Sequence, residues 1–183
     1  VWDGASVWLI RSIMIFIVIG GLTIINILGI KKAVQAINVL TFLKLVPILL
    51  MILLGLQYLT PDNLLPPELP KFDDAGAVIL LIFFAFTGFE SVLASAGETK
   101  NPQKSIPRAL ISVFIVVTVI YFLLQLVYVT VAPPINDSAP LIGLGTSLIG
   151  PIGGTIIVFT AIFSILGNVA GITIFGSRSS FAM

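Results

Sequence analysis

Two ionisable side chains, Lys44 and Glu90, stand inside long apolar runs of this sequence. Lys44 lies in the run NVLTFLKLVPILL, and Glu90 lies in the stretch FFAFTGFES at 83–91. Charged groups inside a membrane are costly, and they usually face a cavity, a transport pathway or each other. A structural ion pair, or a side chain that snorkels to the surface, is the alternative. The chemistry that these positions predict is the holding or passing of a proton.

A possible ligand site lies in the segment 84–88, which comprises Phe84, Ala85, Phe86, Thr87 and Gly88. Glycine lowers helix stability, and Thr87 can satisfy backbone groups that a broken helix releases. We therefore expect the helix to unwind here. Unwound carbonyls and half-helix ends can bind a substrate in the membrane, as in many secondary transporters. A glycine that serves only close helix packing is the alternative.

The residue types that are absent exclude several functions. The sequence has no Cys and no His, so thiolate or imidazole metal sites and Ser-His or Cys-His catalysis are excluded. We predict no enzyme, no metal and no cofactor, and the triplet GTS at 145–147 is predicted to lie in a loop without a base. A net charge of +1 with scattered cations argues against a nucleic-acid partner.

The elements that must position these residues are membrane helices. Of 183 residues, 58% are hydrophobic and 9% are charged, whereas soluble domains are about a quarter charged. The pattern predicts an all-α integral membrane protein with five transmembrane helices in a single transmembrane domain at 1–183. The predicted spans are about 9–30, 33–59, 75–97, 107–132 and 148–177.

Orientation follows from the cations in the connections. Six of them share one side, namely Lys31, Lys32, Lys100, Lys104, Arg108 and Arg178, whereas only Arg11 and Lys71 lie on the other. The positive-inside rule predicts an outside N-terminus and a cytoplasmic C-terminus. At about 1.5 Å per residue, segment 84–88 and Lys44 would both lie near the bilayer midplane. An odd number of spans with an outside start leads us to expect that preceding helices are missing.

Two connections carry local predictions. In GETKNPQKSIPRAL, Asn101 and Pro102 should make a turn, Ser105 should cap the next helix, and Pro107 should fit its first turn. The cations there should set topology and meet anionic lipid headgroups. PPINDSAPLIGLG is predicted to be a loop between the fourth and fifth spans.

The stretch FFAFTGFES followed by GETKNPQKSIPRAL resembles the sixth helix and the following loop of the amino acid, polyamine and organocation (APC) transporters. NVLTFLKLVPILL resembles the fifth helix of that family, and LGNVAGITIFGSRSSFAM its eighth. The resemblance covers the whole sequence as the fourth to eighth helices. It implies an inverted-repeat (5+5) fold whose third span here is broken at midplane. The first helix, which in this family holds the substrate carboxylate, would be absent.

The resemblance implies an amino acid permease of the plasma membrane, a secondary active transporter. The carbonyls of Phe84, Ala85 and Thr87 would bind the α-amino group of an amino acid or related amine. Phe84 or Phe86 would act as an aromatic gate. Protons, membrane lipid and the missing helices of the parent chain would be its partners.

Three residues are implicated in proton coupling. Lys44 matches a lysine that in some proton-coupled members occupies the ion position of sodium-coupled relatives. Glu90 matches the acidic residue after the break, which relatives link to pH response or inner gating. Asn168 is a plausible neighbour of Lys44, although simple interhelical hydrogen bonding would also explain it.

Other functions remain open at this point. The protein could exchange amino acids or polyamines, or it could be a membrane structural subunit with no transport of its own. A channel would favour rings of like groups over an aromatic gate.

Overall fold

The computed structural model describes residues 4–60, 72–89, 96–97, 99–131 and 139–182. Within these ranges the chain forms six α-helices and a short 3-10 helix, and no strand. The helices are α1 (Gly4–Ile27), α2 (Ile30–Gly55), α3 (Phe72–Ala85), α4 (Pro102–Val131), α5 (Pro140–Ile149) and α6 (Pro151–Ala182), and the 3-10 helix Leu56–Tyr58 extends α2. The predicted all-α class is confirmed.

Four helical segments in the described ranges are long and apolar enough to cross a membrane. They are Val7–Ile27, Ile30–Tyr58, Pro102–Val131 and Pro151–Ser177. By contrast, α3 has 14 residues and is about 21 Å long, which is shorter than the hydrocarbon core. The third predicted span is therefore not a continuous helix over the residues that the structure describes.

One predicted loop is wrong. Residues 145–147, the GTS triplet, lie within α5 rather than in a loop. Pro140 begins this helix, where its fixed φ and missing N–H are tolerated. The helix ends at Gly150, whose φ is +73° and whose N–H donates to the Thr146 carbonyl over 2.8 Å. Pro151 then begins α6.

The beginning of α4 also differs from the prediction. Asn101, with φ +52°, precedes the first helical residue, Pro102, so the turn lies where the sequence predicts it. Ser105 does not cap the helix from outside, because its hydroxyl lies inside α4 and donates to the Lys100 carbonyl over 2.9 Å. Pro107 lies within the helix rather than in its first turn.

Contacts divide the chain into two units, Val1–Leu45 with Phe159–Met183, and Val46–Val158. In the first unit, α2 and α6 approach closely at Gly167, where a Cβ would lie 3.6 Å from the Cβ of Leu40. Asn26 Nδ2 donates to Ser177 Oγ over 3.3 Å and so joins α1 to α6. Small residues and interhelical hydrogen bonds of this kind hold membrane helices together.

In the second unit, α4 contacts both the 3-10 helix and α5. Val127 on α4 is fully buried, and a Cβ at Gly55 would overlap its side chain. The start of α6 packs on α5 through glycines, since a Cβ at Gly145 would lie 2.7 Å from the carbonyl oxygen of Gly153. Helix backbones can approach this closely only where side chains are absent. Rings of α4 also meet rings of the residues that follow α3.

Candidate functional site

Helix α3 ends at Ala85, inside the segment 84–88. The following turn is closed by two backbone bonds, Phe86 N–H to the Phe83 carbonyl and Thr87 N–H to the Phe84 carbonyl, each 3.2 Å long. Gly88 has φ +103°, which side-chain-bearing residues rarely adopt. No atom of the described residues lies within 4 Å of the position that its Cβ would take. The change of chain direction therefore depends on the backbone freedom of glycine and not on a lack of space.

Thr87 stabilises the end of α3 through its side chain. Its hydroxyl donates to the Phe84 carbonyl over 2.8 Å, beside the backbone bond to the same oxygen. A carbonyl oxygen has two lone pairs, so Thr87 satisfies both. A substrate ammonium at the Phe84 carbonyl would compete with these two bonds from Thr87.

Aromatic rings pack on one side of the turn. The Phe86 ring stacks on Phe114 of α4 with 5.7 Å between ring centres, and it meets Tyr121 edge to face at 5.6 Å. Phe89 meets Phe114 edge to face at 5.3 Å. Phe84, by contrast, is 77% exposed. Of the two predicted gate residues, only Phe86 joins this aromatic cluster.

A cavity of about 210 Å³ lies beside the turn. The turn contributes Ala85, Phe86, Thr87 and Phe89 to its lining. The rest of its wall is the facing side of α4, formed by Leu110, Val113, Phe114, Val117 and Tyr121. The predicted site residues Ala85, Phe86 and Thr87 are thus brought together at one cavity.

The residues predicted for proton coupling lie elsewhere in the chain. Lys44 is half-buried on α2, which continues without interruption through Pro47. Asn168 lies on α6 with an exposed side chain, and among the described residues it makes no hydrogen bond to Lys44. Glu90 lies outside the described residues. Among those that are described, no group of three or more His, Cys, Asp or Glu could hold a metal ion.

The family model described as Amino acid permease matches residues 3–183. The chain belongs to the amino acid permease family. The resemblance carried by FFAFTGFES and the following loop is therefore confirmed, and this permease chain is an integral membrane protein. Its relatives are transporters and not enzymes, in agreement with the sequence-based prediction.

Three curated relatives of this permease chain, all from Bacillus subtilis, illustrate the similarity. The branched-chain amino acid permease BcaP is 33% identical over 118 residues, which cover 64% of this chain and 25% of BcaP. The serine/threonine exchanger SteT is 33% identical over 169 residues, covering 88% of the chain and 38% of SteT. An aspartate-proton symporter is 28% identical over 167 residues, covering 79% and 31%. The chain thus spans well under half of each relative. No solved structure matches it.

The sequence predictions missed the contribution of α4. Phe114 and Tyr121 pack against Phe86, although the fourth span was predicted only as an apolar run. A signal was present, because Phe114, Thr118, Tyr121, Gln125 and Tyr128 recur every three or four residues. That spacing places them on one face of a helix.

Proposed function

We propose that the full-length permease carries an amino acid across the membrane by secondary active transport, with the substrate bound at segment 84–88. The observation that supports this best is the end of α3 at Ala85, where the turn borders a cavity beside Phe86. A helix that stops inside an apolar span exposes backbone groups, which are the groups that such transporters use to hold a charged amine or carboxylate. Ala85 and Thr87 would supply the carbonyls for the α-amino group.

The proposed fold of the whole permease is the inverted-repeat arrangement with two five-helix repeats. This chain would contribute the fourth to eighth helices, with its N-terminus outside and its C-terminus in the cytoplasm of a plasma-membrane protein. Lys31, Lys32, Lys104 and Arg108 are exposed near the starts of α2 and α4, which suits a cytoplasmic surface against anionic headgroups. A helix outside this chain would bind the substrate carboxylate.

Proton coupling is proposed at Lys44. Its half-buried position inside the apolar helix α2 favours a functional role, because an ionisable group there is costly to retain. A charged ammonium could bridge neighbouring helices, and its deprotonation would release them, so that proton binding favours one conformation. Glu90 and Asn168 remain candidates for the same coupling. The relative named an aspartate-proton symporter supports coupling of transport to protons.

Exchange of one amino acid for another is the second candidate. It is favoured by the similarity to the serine/threonine exchanger SteT, which extends over 88% of this chain. Symport and exchange need the same substrate site but differ in what drives accumulation.

One transport experiment tests both candidates. The full-length permease would be reconstituted in liposomes, and uptake of labelled amino acids would be measured under an inward proton gradient, and separately with unlabelled amino acid inside. Saturable accumulation under the gradient supports symport, and stimulation only by internal amino acid supports exchange. Protein-free liposomes provide the background. Uptake at that background for all amino acids would overturn the proposed function.

A further inference from the structure

One side chain of α4, Phe114, contacts aromatic rings on both sides of Gly88. Its ring is nearly parallel to that of Phe86, with an interplanar angle of 14° and 5.7 Å between ring centres. It meets the Phe89 ring at 62°, with 5.3 Å between ring centres. Stacked and edge-to-face rings at such distances attract each other beyond the effect of the area they bury. A single ring of α4 therefore joins the chain before the turn to the chain after it.

Glycine permits the turn at Gly88 without enforcing it. Glycine adopts positive and negative φ values about equally readily, so the residue itself does not fix the observed φ of +103°. The two hydrogen bonds that Thr87 donates lie on the α3 side of Gly88. A different φ at Gly88 would carry Phe89 away from the ring that Phe86 contacts. The contacts of Phe114 with both rings thus favour the observed turn.

Two other aromatic side chains of α4 differ from Phe114 in this respect. Tyr121 meets Phe86 edge to face at 5.6 Å, and within the described part of the chain it makes no ring contact with Phe89. Phe122 is 65% exposed, and no ring pair of the described residues includes it. Phe122 therefore offers a control of the same residue type on the same helix.

We propose that Phe114 is a positioning residue of the permease, which holds the Gly88 turn in the conformation that presents its backbone groups to the substrate. This inference rests on the proposed binding of the substrate at segment 84–88. Every amino acid has the same ammonium and carboxylate, so loss of the turn should weaken the binding of all substrates by the same factor. Phe114 also lines the cavity of about 210 Å³. If its ring instead contacted the substrate side chain, the factor would differ between small and large amino acids.

The main test is equilibrium binding to the purified full-length permease. The probes are labelled amino acids with small and large side chains, such as alanine and leucine, that the parent permease takes up. Phe114→Leu removes both ring contacts and should raise the Kd by about 5- to 150-fold, by the same factor for each probe within about twofold. Phe114→Tyr keeps the ring and should change the Kd by less than about threefold.

A milder variant approaches the same contact from the turn. Phe89→Leu removes one of the two ring contacts, and its side chain is 47% exposed, so the variant should fold. It should raise the Kd by about 2- to 12-fold in the parent. In the Phe114→Leu background it should add less than about twofold, because the contact is already lost.

Two controls separate positioning from general stability. Phe122→Leu should leave the Kd within about twofold of the parent value. Gly55→Ala should lower the thermal unfolding midpoint, because its Cβ would overlap Val127, and should also leave the Kd unchanged.

The outcomes distinguish this inference from the proposed function. If the parent permease binds amino acids but Phe89→Leu binds them as tightly, or Phe114→Tyr is as weak as Phe114→Leu, the positioning role is overturned and the proposed function stands. A loss that differs between alanine and leucine by more than about fivefold also overturns it. If the parent binds no amino acid, both fail.

Discussion

Gly88 offers the sharpest test of the turn that ends α3. A residue with a Cβ at φ +103° is strained by about 1–3 kcal/mol. Because no atom of the described residues lies within 4 Å of the added Cβ, we expect the effect of Gly88→Ala to come from the backbone. Without bound substrate, the Gly88→Ala variant should relax to an unstrained backbone conformation. Substrate binding must then restore the strained turn, so the strain energy is subtracted from the binding free energy. At about 1.4 kcal/mol per factor of ten, the substrate Kd should rise by about 5- to 150-fold.

Two glycines provide controls for this measurement. Gly29, between α1 and α2, has φ +110°, and no atom in the described part of the chain lies within 4 Å of an added Cβ there. Gly29→Ala should therefore lower thermal stability and leave the substrate Kd unchanged. Gly171 lies inside α6 with equally open space, so Gly171→Ala should leave the Kd unchanged and be neutral or stabilising by up to about 1 kcal/mol.

The assay is equilibrium binding of labelled substrate to the purified full-length permease, with the thermal unfolding midpoint measured on the same samples. The reasoning is refuted if Gly88→Ala binds substrate as tightly as Gly171→Ala does. That result, together with a loss of stability in Gly29→Ala, would show that the strain is real and that substrate does not need the Gly88 turn.

Three further variants test other parts of the proposal. Lys44→Ala should abolish uptake driven by a pH gradient and spare much of equilibrium binding; full gradient-driven accumulation would make Lys44 structural. Phe86→Leu removes two ring contacts worth about 0.5–1.5 kcal/mol each. It should reduce uptake more than Phe84→Leu, which alters a side chain that is 77% exposed. A larger loss of uptake in Phe84→Leu than in Phe86→Leu would exclude Phe86 as the gate. Gly55→Ala should destabilise the permease by about 1–3 kcal/mol, because its Cβ would overlap Val127, and a double-mutant cycle of thermal stability with Val127→Ala should show coupling.

The sequence alone determined the membrane class, the family and the place where α3 stops. These properties are local in the chain. Apolar runs between charged connections indicate spans because burying charge in lipid is costly. A glycine and a threonine inside such a run mark a weak point in the helix, and α3 ends within three residues of Gly88. The family motif is likewise a contiguous run, so it needs no fold to be recognised.

Only the tertiary structure decided what surrounds that weak point. Phe84 and Phe86 are equivalent in the sequence, but packing against α4 places Phe86 among Phe114 and Tyr121 and leaves Phe84 exposed. The helix α5 was also hidden, because its glycines suggest a loop until they are seen in contact with the glycines of α6. In a membrane protein almost every side chain of a span is apolar, so hydrophobic periodicity does not distinguish the faces of a helix. Which face meets a neighbour is decided by the packing of small residues and rings between helices far apart in the chain.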